Sequence, residues 1–289
     1  MSKRPLISVR DLRKVYGKKD SRFEALKGLN LDIQSGESVA IIGKSGSGKS
    51  TFMHLLALLD RPTEGEIRLK GTETSKLKAR QLNRLRNKQF GFVFQSFFMN
   101  SNDTVLANVM LPLKIAGVKP KERKRRALKA LETVGLADKA KNKANDLSGG
   151  QKQRVCIARA IVNRPKIIFA DEPTGNLDSH TGSIIQDLLF GLNENKGITL
   201  IIVTHDEDLA AKCHRQIRIA DGEIVSDSKF EELPEYDAEE EEYDEDDDGE
   251  DIDAWEKEDN SKYWVDTNAD GIREHSTMRS IKVRKEDKD

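Results

Sequence analysis

A chain of 289 residues, 36% hydrophobic and 34% charged, suits a soluble globular protein of one large or two small domains with a polar extension. Its charge is divided near Phe230: residues 1–230 hold 41 Lys+Arg and 25 Asp+Glu, whereas residues 231–289 hold 8 and 25, so the first part is suited to anionic ligands or surfaces. Two cysteines exclude a disulfide framework, and no apolar run approaches the ~18 residues that span a bilayer, so a membrane link is expected to run through a partner.

Short apolar runs read as strands at 6–9, 29–33, 38–42 and 66–69. "GKSGSGKST" (43–51) follows the third run, and 49–59 then has a helical pattern. The octet fits G-x-x-x-x-G-K-[ST] through Gly43, Gly48, Lys49 and Ser50. Glycines let backbone N–H groups close on phosphate oxygens, and the helix N-terminus adds partial positive charge. Lys49 is expected to reach the β- and γ-phosphates of a nucleotide and Ser50 to ligate Mg²⁺. Lys44 reads as a solvated loop charge.

"FGFVF" (90–94) is a further strand, and 104–134 looks helical with a break over 116–120. "DLSGGQKQR" (146–154) sets a serine and two glycines before a helix over 149–162, a second anion-ready helix end without a lysine or metal ligand of its own. One phosphate loop and two such helix ends raise a site shared between two copies. "KIIFADEP" buries a strand and releases Asp171 and Glu172 at its end, where α/β sheets place ligands. Asp171 is expected to hold Mg²⁺ through water and Glu172 to act as general base on water. His205 follows the apolar strand 197–203 and is expected to face the ligand. Alternating strands and helices imply a mainly parallel sheet covered by helices.

Together "GKSGSGKST", "LSGGQ" and "FADEPTGNLD" resemble the ATP-binding subunits of ABC transporters over residues ~5–225. "GFVFQSFFMN", "VLANVMLPL", "IIVTHD" and "IADGEIV" make the resemblance closest to the MacB/LolD/FtsE group. It implies an α/β P-loop NTPase cassette over 1–230, with a RecA-like core, an antiparallel β subdomain and a helical subdomain about 96–150. It implies that Tyr16 stacks on adenine, that Gly43, Ser45, Gly46, Gly48, Lys49, Ser50 and Thr51 cradle ATP, and that Gln95 senses Mg²⁺. It also implies that Ser148, Gly149, Gly150 and Gln151 cap the γ-phosphate bound by the other subunit. Asp178 would cross the dimer interface, and His205 would contact the γ-phosphate.

The expected function is an ATP-hydrolysing subunit that homodimerises and drives a separate integral membrane permease, for lipoprotein release or peptide or drug export, from the cytoplasmic face of the membrane. An ATP-switched regulator of a membrane complex, without transport, is the alternative. No nucleic-acid partner is expected, because "KPKERKRRALKA" (119–130) reads as a solvated helix face. Phe97, Phe98 and Met99 would receive the permease's coupling helix or belong to the subdomain core. Cys156 is expected to pack inside. Residues 231–289 read as an acidic, low-complexity, disordered extension. Within it "DTNADGIREHST" (266–277) matches half of a calcium loop but has Thr277 at the twelfth position, so a polar turn is the better reading.

Overall fold

The computed structural model describes residues 4–18 and 21–229. Strands β1 (Ile7–Tyr16) and β2 (Phe23–Ile33) pair antiparallel. The chain then enters β3 (Ser38–Ile42) and α1 (Lys49–Leu56). It returns in β4 (Glu64–Leu69) and β5 (Thr72–Glu73), which complete a four-stranded antiparallel sheet in the order β2-β1-β4-β5. Polar residues on the open face interrupt the apolar pattern without breaking the pairing. Both first strands therefore run further than their apolar stretches predict.

After α2 (Ala79–Gln89) comes β6 (Phe90–Phe94), then the helices α3 (Val105–Ile115), α4 (Pro120–Thr133) and α5 (Gly149–Ile161). β7 (Ile167–Asp171), α6 (Ser179–Lys196), β8 (Thr199–Val203), α7 (Glu207–Ala211), β9 (Arg215–Ala220) and β10 (Glu223–Lys229) follow. The second sheet has the order β10-β9-β3-β8-β7-β6, parallel except where β10 runs against β9. Every residue of β3 and of β8 is buried, as a sheet covered on both faces requires.

The two sheets share one core across α1. Phe52, Met53, Leu55 and Leu56 of that helix cluster with Leu12, Leu26 and Ile33 of the first sheet and with Ile41, Phe169 and Ile201 of the second. A buried ion-pair cluster joins the sheets at their edge. Arg215 on β9 donates to Asp32 O at 2.7 Å, to Glu37 Oε1 at 3.2 Å and to Asp227 Oδ1 at 2.6 Å.

The helical stretch expected over 104–134 is α3 and α4, separated where Gly117 takes φ 77° and Pro120 opens the second helix. α2 and α6 leave no clear sequence pattern. The 11 residues of α2 contain only Leu82 and Leu85 as large apolar side chains, and α6 carries Gly182 and Gly191 in its interior. The expectations for 231–289, including the half calcium loop at 266–277, lie outside the described residues. Among the described residues no helix is long and apolar enough to cross a membrane.

Candidate nucleotide site

Residues 43–48 connect β3 to α1 in a loop that only glycine can form at two points. Gly43 has φ 149°, and a Cβ there would lie 2.2 Å from the carbonyl oxygen of Ile219. Gly48 has φ 105°, and its Cβ would meet the carbonyl oxygen of Ala25 at 2.8 Å. No side chain caps α1, and its first turn has no acidic residue, so the positive helix end faces the loop without competition. Lys49 Nζ donates to the carbonyls of Gly43 and Lys44 at 2.8 and 2.9 Å, which sets an ammonium inside the loop. Ser45, Gly46 and Ser50 are exposed and Thr51 is half-buried.

The parallel strands β6, β7 and β8 end in register, Phe94 beside Asp171 and Asp171 beside Val203. Their following residues therefore meet at one sheet edge. Glu172 takes φ 46°, a strained value for a non-glycine residue, and is held there by its N–H donating to Val203 O at 2.9 Å. Its carboxylate is fixed from both sides. Thr204 Oγ1 donates to Oε2 at 3.2 Å, the His205 N–H donates to Oε1 at 3.0 Å, and His205 Nδ1 lies 2.7 Å from Oε1.

The hydrogen bond to Glu172, and then its charge, hold the His205 pKa above the ordinary histidine value. Burial, and then the neighbouring Glu172 charge, push the Asp171 carboxyl up, while His54 and Lys49 oppose the rise. Gln95 follows β6 and is exposed. Asn176 Nδ2 donates to its carbonyl at 3.0 Å, and its own Nε2 donates to Asn176 Oδ1 at 3.4 Å.

Two further helix ends carry more of the expected residues. Ser148 caps α5 reciprocally with Gln151: Gln151 N–H donates to Ser148 Oγ at 3.3 Å, and Ser148 N–H donates to Gln151 Oε1 at 3.0 Å. Asp178 caps α6, accepting from Thr181 N at 2.9 Å, which holds its carboxyl below the usual range. The two ends abut, since a Cβ on Gly150 would lie 2.2 Å from Thr181 Cγ2. Gly149 is exposed beside them. Among the described residues, Ser148 and Gln151 hydrogen-bond to each other and not to the phosphate loop.

Tyr16 closes β1 and is 41% exposed. Its hydroxyl donates to Asp60 Oδ2 at 3.0 Å, and Lys14 Nζ lies 4.9 Å from its ring centroid. Thr204, Asn176 and Asp60 touch residues of the expected site, yet sequence reasoning passed over them. Thr204 had a readable signal, as the hydroxyl residue between an apolar strand and His205. Cys156 packs inside as expected, with burial pushing its thiol up to about 11.

A glycine loop with a lysine inside it, beside two strand-end carboxylates and a histidine, defines a P-loop nucleotide triphosphatase. The family model described as ABC transporter matches residues 26–175. The chain is 46% identical to the lipoprotein-releasing system ATP-binding protein LolD of Syntrophus aciditrophicus, over 76% of this chain and 99% of that protein. It is 48% identical to the macrolide export ATP-binding/permease protein MacB of Nitrosomonas europaea over 80% of its own length, but spans only 35% of that relative.

The solved dimeric structure of MJ0796, a bacterial ABC transporter cassette, superposes with a TM-score of 0.71 at 43% identity, covering 80% of this chain and all of the other. A second MJ0796 structure, a dimeric post-hydrolysis state bound to ADP and phosphate, matches with the same TM-score at 42% identity and equal coverage. The chain belongs to the ABC transporter family and is an ATP-binding, ATP-hydrolysing cassette of it.

Proposed function

We propose that this cassette, residues 1–230 with a helical part about 96–150, is a transporter motor. Two copies close head-to-tail on ATP and act on a separate integral membrane permease, for lipoprotein release or peptide or drug export. The carrying observation is the carboxylate of Glu172, gripped by Thr204 and His205 at the edge where the phosphate loop opens. Glu172 takes a proton from the attacking water, whose oxygen bonds the γ-phosphorus. The bond from that phosphorus to the bridging oxygen of ADP breaks, and its electron pair stays with ADP. Lys49 and the α1 N-terminus neutralise the phosphates, with Gly43, Ser45, Gly46, Gly48 and Thr51 around them. His205 holds Glu172 through Nδ1 and turns its other ring nitrogen to the γ-phosphate, while Tyr16 stacks on adenine.

The donor chemistry fits Mg²⁺. Ser50, Gln95 and Asp171 offer oxygen ligands, and the raised Asp171 pKa marks a carboxylate that a cation would relieve. Among the described residues no group of three His, Cys, Asp or Glu could hold a metal alone, which suits an ion shared with phosphates. When bound, Mg²⁺ supplies charge neutralisation at the phosphate oxygens. The second copy supplies Ser148, Gly149, Gly150 and Gln151 to the γ-phosphate and Asp178 to the interface.

Phe98, 71% exposed, stands beyond Gln95, and Ile115, 69% exposed, ends α3; both suit an apolar partner. The permease meets the exposed Phe98 beside Gln95, and the subunit sits peripherally at the cytoplasmic side of the membrane. Phosphate release by the purified chain tests the chemistry. Turnover requires Mg²⁺, stops with chelator, and falls roughly 10²-fold or more in Glu172→Gln while ATP binding persists. Near-normal turnover by Glu172→Gln would remove Glu172 from its role.

A further inference from the structure

One face of α5 grips the chain that leaves β6. Gln153 is 1% exposed, and its Nε2 donates to the carbonyl of Phe94 at 3.3 Å and to that of Pro173 at 2.7 Å. One turn on, Cys156 Sγ donates to Phe97 O at 3.1 Å. A further turn on, Arg159 donates through Nη2 to Phe97 O at 2.9 Å and through Nη1 to Phe98 O at 2.8 Å. Positions 153, 156 and 159 recur every three residues, so they share one side of the helix. On the segment they hold, the acceptors are main-chain oxygens, which are there whatever side chains the loop carries.

The gripped segment needs holding. Phe98 takes φ 43°, an outlying conformation for a bulky residue, and its ring meets Phe94 edge-on at 5.4 Å while the residue stays 71% exposed. Two guanidinium hydrogen bonds fix the carbonyls at and before that residue. A charged donor strengthens such bonds, and Arg presents both in one rigid plane. Between the gripped oxygens lies Gln95, and Pro173 directly follows Glu172. A single helix thus bears Ser148–Gly150 at its N-terminus and holds both the Gln95 segment and the Glu172 loop from its flank.

We propose that Arg159 is a positioning residue that locks the Phe97–Phe98 backbone to α5, so that displacement of the Ser148–Gly150 end is carried to Gln95 and Phe98 as one rigid movement. Gln153 extends the same lock to Pro173. The consequence for a permease rests on the docking reading above. The lock itself does not, and it is tested without any membrane protein.

The test places a nitroxide on Phe98→Cys in the intact chain, in a Glu172→Gln background that retains ATP. Both native cysteines are buried, with thiols pushed up to about 11 for Cys156 and about 12 for Cys213, so position 98 reacts alone. Spectra are compared with and without MgATP for Arg159, Arg159→Lys and Arg159→Met. With Arg159 the probe shows a slow component that MgATP alters. In Arg159→Met the slow fraction falls by about half or more and MgATP no longer alters it, and Arg159→Lys, with one reaching donor group, lies between.

Affinity for a fluorescent ATP analogue stays within about twofold in all three, which separates a released loop from a lost fold. If Arg159→Met does not fold, the Arg159→Lys comparison decides. Identical spectra and an identical MgATP response across the folded variants would overturn the proposal.

Discussion

Glu172 sits in a conformation that costs on the order of 1–3 kcal/mol, and its side chain repays that by bonding to Thr204 and His205 on the neighbouring strand end. The pairing works in both directions. A carboxylate 2.7 Å away favours the imidazolium, so His205 titrates above the ordinary ~6.5. The charged pair is complete at pH below the unfolded histidine value and is lost as pH rises through the raised folded one. NMR titration of the His205 ring checks this: Glu172→Gln should return the midpoint towards ~6.5. An unchanged midpoint would show that Glu172 is not the cause.

Cys156 and Cys213 make a second residue-scale prediction. Both should resist an aromatic disulfide reagent at pH 8 in the folded chain and react fully in denaturant. Lys49, Asp171, Glu172 and His205 were legible because each belongs to a contiguous run of strand, turn and ligand chemistry. Thr204 carried a signal that went unread, whereas Asn176 carried none, because its partner Gln95 lies far off in sequence.

At the scale of elements, the N-terminus of α5 is the piece that the proposed dimer brings to a second copy. It has a reciprocal side-chain cap, exposed Gly149, and an abutting α6 whose own cap is Asp178. Ser148→Arg adds bulk and charge at that end without touching the phosphate loop. Monomer nucleotide affinity should hold while ATP-driven association is lost, read by titration and light scattering on the same sample. Retained association would move the interface elsewhere.

The clasp between sheets is a separate element. Arg215 and Glu37 are 6% and 1% exposed, so Arg215→Met strands a buried carboxylate. Urea unfolding should show a loss of about 3–5 kcal/mol. β3, β6, β7 and β8 were readable as apolar runs, whereas β9 was not, because polar residues break its sequence RQIRIA. β1 and β2 were read short because half of each faces solvent. α2 was missed because its stability comes from packing Leu85 onto the core rather than from a periodic apolar stripe.

For the molecule as a whole, the arrangement is incomplete in one copy. The phosphate loop has its lysine and the strand-end carboxylates beside it, whereas among the described residues the side chains of Ser148 and Gln151 at the α5 end hydrogen-bond to each other's backbone and not to that loop. In the proposed dimer, head-to-tail closure of two copies would bring that end onto the other's nucleotide and give two equivalent sites, the closed symmetry that most soluble oligomers adopt. The basic excess in residues 1–230 adds attraction for polyphosphate before closure. Light scattering of the Glu172→Gln chain tests this most directly, because slowed hydrolysis preserves the ATP state. The account predicts a dimer with saturating ATP and Mg²⁺, and a monomer with ADP or without nucleotide. A Glu172→Gln chain that binds ATP and Mg²⁺ yet stays monomeric would contradict it.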